Sequence, residues 1–188
     1  MTLGAKGVAF KVTYNDGGAG SGLSGFNGVC SDRIIHDNIR IRKMTNCSAE
    51  NSPCRIYADG NYNGQRPRMT GAFGALCYES TLFSGHQMRF SAGFYHRGAK
   101  AGAAIPMTGV DAGDVALLTT LLPGTTQAER VVFGCFRAKR AVYLDPDRGY
   151  TVESDGTMDL KFPDELTRRM NFWRYFRNQD GSQDWRTG

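Results

Sequence analysis

The chain has 188 residues, 40% hydrophobic and 11% aromatic, with a formal charge of +5. That length suits one well-buried domain, the composition is that of a globular protein, and no apolar run approaches the roughly 20 residues a membrane span needs. The positive balance favours a polyanionic partner, and the first residues lack the pattern of a secretory leader, so the expected compartment is the cytoplasm.

Residues 6–14, KGVAFKVTY, mix apolar and β-branched residues and read as a first strand. Residues 15–28 are dominated by glycine and can hold neither a helix nor a long strand. They form a loop that lacks the lysine and following helix of a phosphate-binding P-loop. In DRIIHDNIRIRK, residues 32–43, the alternation of Ile39, Arg40, Ile41, Arg42 and Lys43 suggests a half-buried strand with a positive outer face. Residues 44–75 are rich in Asn, Ser, Gly and Pro and are expected to be irregular, with Arg55, Arg66 and Arg68 adding charge. A loop of that length inside a compact domain needs a staple or a function.

LCYESTLF (76–83) and MRFSAGFY (88–95) are two further strand candidates separated by SGHQ, a hairpin signal. A basic loop follows. The densest β-type pair is Val115–Thr120 and residues 130–136, joined by a segment with Pro123, Gly124 and two threonines. Both runs are almost continuously apolar, as in strands covered on both faces of a closed or strongly curled sheet. Gly113-Asp114 marks a tight turn into the first, and Gly134 a bend in the second. GYTVES and TMDLKF are two short strand runs. Pro163, Asp164 and Glu165 then open a helix whose face carries Leu166, Met170, Trp173 and Arg177, widened by Phe172 and Phe176. The chain stops without a terminating signal, so an excised domain of a longer protein is expected.

No nucleophile-elbow, zincin or P-loop motif is present, and none of the three histidines has a recognisable catalytic setting. The expectation is a binding domain with no catalytic residues. Five cysteines, an odd count spread along the chain, argue against a closed disulfide framework in a reducing compartment. Cys30, Cys47, Cys54 and Cys77 enclose the irregular segment, and four thiolates would make a structural zinc site; free thiols are the competing reading, and no cofactor is otherwise required. Cys135 reads as core. Tyr78, Glu79, Ser80, Phe94, Tyr95, His96 and Trp173 are candidate base-pocket residues, because an unstacked base is held by aromatic faces and read by a few polar groups. Arg40, Arg42, Lys43, Arg66, Arg68, Arg89, Arg97 and Lys100 are candidate phosphate contacts.

The CYES run, the FSAGFYHRG segment, GDVALLTT followed by RVVFGCFRAKRA, and the closing FPDEL helix together resemble the PUA-like superfamily, in particular its EVE, YTH and SRA-like branches. The resemblance implies an α+β fold, a curled β-barrel flanked by helices over residues 76–178. An irregular glycine-rich N-terminal elaboration over 1–75 completes a single domain of 1–188. It also implies recognition of a modified base in double-stranded DNA, by base flipping into an aromatic pocket. Such a module serves modification-dependent restriction systems, joined to a nuclease domain in the same chain. The tryptophans of the YTH base cage have no counterpart in the central strands. The base is left open among 5-methylcytosine, 5-hydroxymethylcytosine and N6-methyladenine. An RNA-binding PUA-like module and an ASCH-type amidohydrolase acting on a modified nucleoside are the alternatives.

Overall fold

A computed structural model describes residues 6–19, 25–60, 65–67, 77–83, 88–95, 98–139, 141–143 and 149–176. Its strands are β1 (Gly7–Lys11), β2 (Arg89–Ser91), β3 (Val115–Thr120), β4 (Val131–Ala138), β5 (Val142–Tyr143) and β6 (Tyr150–Lys161). Its α-helices are short: α1 (Asp32–His36), α2 (Thr45–Ser48), α3 (Pro53–Ala58) and α4 (Asp164–Arg169). The strands form one sheet in the order β1-β3-β4-β6-β2, with β5 also on β6; β1 runs parallel to β3 and the other pairs are antiparallel. It is a mixed, strongly curled half-barrel with few helices.

The hairpin expected at the centre is there. β3 and β4 pair with a register shift between Leu118 and Thr119, beside Gly134. A Cβ at Gly134 would stand 2.6 Å from the Leu160 carbonyl oxygen, so only glycine lets β6 approach there. The apolar run is continuous because both faces are covered. Leu118, Phe133 and Phe136 point into the main core, while Val132, with Leu117 beside it, packs on a second cluster of Phe172 and Trp173. Phe133 stacks on Phe26 with ring centroids 4.0 Å apart, and Phe10 stacks on Phe90 at 4.2 Å. Each such ring contributes roughly 1.5–3 kcal/mol on burial. The turn into β3 is tight as expected: Gly113 has φ +94°, and the Asp114 carboxylate accepts the Asp111 and Lys6 backbone N–H groups at 2.8 and 3.2 Å.

The curl comes from β6. The sequence reads it as two short runs; the chain makes one strand of 12 residues. Its first part pairs with β2 and β5, and its later part with β4, across a register shift between Phe136 and Ala138. One strand therefore belongs to both halves of the sheet and turns the corner between them.

Four further sequence expectations are corrected. The stretch 44–75, expected to be irregular, holds the short helices α2 and α3, the second opened by Pro53 at its first position. Residues 39–43 are not a strand: α1 runs on into a π-helical turn, Asp37–Ile41. The Ser31 hydroxyl caps α1 by accepting the Ile34 N–H, and Ile34, Ile35, Asn38 and Ile39 are buried, a helical spacing that overrides the brief alternation. Ile41, expected inside, is 67% exposed. Residues 77–83 are likewise no strand, but a bend and a 3-10 turn, Tyr78–Ser80, pinned by Ser80 Oγ donating to the Cys77 carbonyl at 2.7 Å. The SGHQ turn lies outside the described residues. Finally, the C-terminal helix stops at Arg169. Asn171 bridges to Val131 and caps a new 3-10 turn, Phe172–Arg174, so Trp173 reaches the second cluster on a separate segment and Leu166 stays 42% exposed.

The N-terminal part is woven into this sheet: β1 is an edge strand and Phe26 fills the main core. Its glycine-rich segment is fastened through Asn15 and Asp16, both 1% exposed. Asn15 Oδ1 accepts from Gly17 N–H at 2.6 Å, and Asp16 Oδ1 from Ser31 N–H at 2.7 Å. A Cβ at Gly25 would fall 1.7 Å from the Asn15 carbonyl oxygen, so the two limbs cross there on glycine alone.

Candidate functional site

The candidate base-pocket residues occupy three places. Tyr78, Glu79 and Ser80 form the 3-10 turn. The Tyr78 ring meets Phe90 edge-on at 5.7 Å and so belongs partly to the core, whereas Tyr78 and Glu79 both line a cavity of about 410 Å³. Glu79 Oε1 accepts the Thr13 N–H at 3.3 Å. Phe94 and Tyr95 lie in a hairpin-like loop after β2, closed by Tyr95 N–H to Ala103 O at 2.9 Å, Gly102 N–H to Tyr95 O at 2.8 Å and Ile105 N–H to Gly93 O at 2.9 Å. The Lys100 ammonium stands 5.6 Å from the Tyr95 ring centroid, a cation held over an aromatic face. Trp173 is 2% exposed in the second cluster and donates its indole N–H to the Gln127 carbonyl at 2.6 Å, so it serves packing. His96 lies outside the described residues.

The 410 Å³ cavity, a size suited to a small ligand, is walled by all four cysteines grouped in the sequence reading, Cys30, Cys47, Cys54 and Cys77, together with Asn38. They arrive from the loop before α1, from α2, from α3 and from the residue before the 3-10 turn. Burial is the first cause that pushes every one of these thiols up, Cys47 to about 12, and the Glu79 carboxylate raises all four further. Such thiols are neutral at physiological pH and poor nucleophiles. Asn38 is 2% exposed; its amide N–H donates to Tyr14 O at 3.0 Å, while its Oδ1 and the Tyr78 hydroxyl are buried without a hydrogen-bond partner among the described residues. Among the described residues no three His, Cys, Asp or Glu side chains are grouped closely enough to hold a metal ion as they stand.

The cations expected on a phosphate surface divide into two groups. Arg40 pairs with Asp59, Arg42 pairs with Asp37 at 2.8 Å and donates to the Leu121 and Leu122 carbonyls, and Arg66 pairs with Asp32 at 3.4 Å and donates to the Cys30 carbonyl. These three hold the N-terminal part together. Lys43, Arg89 and Lys100 are exposed; Arg68 and Arg97 lie outside the described residues.

A second concave region had no part in the sequence reading. At the junction of α4 and the 3-10 turn that follows it, Arg168, Arg169 and Arg174 line an open recess of about 520 Å³ with Thr125, Glu129 and Asn171. All three arginines are exposed, and none has a carboxylate partner among the described residues. The one acid, Glu129, is already committed, accepting from the Thr126 N–H and hydroxyl at 2.9 Å each, which holds its carboxyl below the usual range. The recess floor is rigid: Val132 N–H donates to Met170 O at 2.9 Å, Phe172 N–H to Arg130 O at 2.8 Å, and the Asn171 amide to Ala128 O at 2.9 Å. The signal in the sequence was the spacing of the arginines in LTRRMNFWR, obscured by treating the run as one continuous helix.

No helix among the described residues is long and apolar enough to cross a membrane. No protein-family model matches the chain, and neither do curated proteins or solved structures.

Proposed function

We propose that this chain is a nucleic-acid-binding module of PUA-like type that recognises a modified base in double-stranded DNA, with the arginine recess as a phosphate contact and the Tyr95 loop as a base contact. The observation that carries the reading is the recess itself, in which three arginines line a concave surface without carboxylate partners among the described residues. Guanidinium groups gathered this way match phosphate oxygens by charge and by their fork of donors. The Tyr95 ring with Lys100 beside it supplies the other half of the chemistry, an aromatic face for an unstacked base next to a cation for its backbone. Binding rather than catalysis is the activity proposed, since the recess offers guanidinium donors and the Tyr95 loop a ring face beside a cation.

Fluorescence anisotropy over a salt series, on duplexes differing only in one 5-methylcytosine, 5-hydroxymethylcytosine or N6-methyladenine, tests this. Each phosphate contact contributes about 0.9 to the slope of log affinity against log salt, so R168A/R169A/R174A is expected to flatten it by up to about 3 on every duplex. Base–aromatic stacking contributes roughly 1–3 kcal/mol, so Y95A is expected to weaken the preferred modified duplex by about 5- to 150-fold and erase the preference. Equal affinity for all duplexes would remove the modified-base reading. Stronger binding to matched RNA would transfer it to RNA, and an unchanged salt slope in the triple variant would remove the recess from the interface.

A further inference from the structure

We propose that Cys30, Cys47, Cys54 and Cys77 bind one zinc ion as a four-thiolate structural centre that fastens α2 and α3 to the loop before α1 and to the 3-10 turn Tyr78–Ser80. Two independent observations lead there. The first is convergence: residues separated by 47 positions of chain, on four different local structures, present their thiols to one cavity, while the fifth cysteine, Cys135, lies in β4, paired with Leu117 and Leu160.

The second is a deficit of other support. α2 has four residues and α3 six, far below the length at which a helix holds its own shape in water, and neither contains a buried residue. Their contacts with the main core run through Cys47, Cys54, Tyr57 and Ala58, all only partly buried. A segment that short of apolar anchorage is the kind of segment a structural metal holds.

The thiols border the cavity without meeting at one point, and zinc requires four sulfurs at about 2.3 Å from the ion. Closing that gap falls to α2 and α3, the short helices that carry Cys47 and Cys54 and contain no buried residue. On binding, each sulfur gives its proton to solvent and becomes a thiolate ligand, reversing the effect of burial on these groups. The four thiolates and the ion carry a net double negative charge. Glu79 and Asp16 add to it and Arg66, which donates to the Cys30 carbonyl, opposes it.

Elemental analysis of the 188-residue protein, purified without chelators, is the test, joined to mercurial titration and cobalt substitution. Expected are one zinc per chain, released as four thiols react, and a cobalt form with the strong thiolate charge-transfer and d–d absorption of a tetrahedral four-sulfur site. C135A keeps the full zinc content; C47A and C54A lose most of it. Should those two variants fail to fold, the cobalt spectrum of the unmutated chain still identifies the ligands. Five freely reactive thiols with no bound metal would overturn the proposal, as would disulfides joining these cysteines, or a folded C47A that keeps a four-sulfur spectrum. None of these readouts depends on DNA, so the result stands apart from the nucleic-acid reading.

Discussion

The β3–β4–β6 sheet and the segment 25–60 are held by different physics. In the sheet, consecutive residues of β4 from Val131 to Phe136 are buried, the ladder satisfies the backbone, and two apolar clusters grip opposite faces. In the segment, α1 and the π-helical turn after it contribute Ile34, Ile35 and Ile39, after which support passes to polar pins and ion pairs: Asp16 to Ser31, Arg42 to Asp37, and Arg40 and Arg55 to Asp59. Exposed ion pairs contribute little. Regular secondary structure in a segment of this kind therefore signals something besides local propensity, and the zinc centre proposed at the cysteine-lined cavity would supply it.

The contrast breaks most severely at Phe133, where the regions meet. Phe133 is 2% exposed, stacked on Phe26 and edge-on to Phe83. F133A is expected to cost about 3–5 kcal/mol and to unfold sheet and segment together in denaturant melts followed by tyrosine and tryptophan fluorescence; separate transitions would show that the two do not share a core. Next in size is G25A. The added methyl falls on the Asn15 carbonyl, so a loss of about 1–3 kcal/mol is expected, with hydrogen exchange accelerating first around Asn15, Asp16 and Ser31 and last in β3 and β4.

Asp114 offers a pH-dependent view of the sheet side alone. Its carboxylate accepts the Asp111 N–H and then the Lys6 N–H, with the Lys6 ammonium 3.5 Å away, and these hold it below the usual carboxylate range. Because the folded value lies below the unfolded one, the stabilisation is complete above the unfolded pKa of about 3.9 and disappears as pH falls through the folded value. D114N is expected to lower stability at neutral pH and to flatten the acid limb of a stability–pH curve; an unchanged limb would remove Asp114 as its source. The smallest effect belongs to the recess. R168A/R169A/R174A should change stability by no more than about 0.5 kcal/mol per site, since the three are exposed and unpaired among the described residues, while altering DNA affinity strongly. A large stability loss there would make the arginines part of the scaffold.

The central hairpin was readable from sequence because its signals are local and agree: β-branched runs, a Pro-Gly turn and glycines where backbone must turn or pack closely. Residues 32–43 were misread because a five-residue alternation competed with a cap at Ser31 and a buried face at Ile34, Ile35 and Ile39, and burial prevailed. The C-terminal helix was drawn too long because apolar spacing past Met170 is also produced by a second turn packing on the same cluster. For the candidate sites, the four cysteines could be grouped by elimination. Tyr95 beside Lys100 followed from proximity in the chain, whereas the partnership of Arg40 and Arg42 with nearby acids was not visible.

By itself the amino-acid sequence determined the elements whose information is contained within a dozen residues: the apolar strand pair, its turn, the glycines, and a surplus of positive charge. Only the tertiary structure decided which arginines are consumed inside the protein and which face a recess, and that cysteines as far apart as positions 30 and 77 share one cavity. Such meetings depend on how β6 bends and where the connecting segments close, and no local pattern of residues specifies the path of a chain between two distant points.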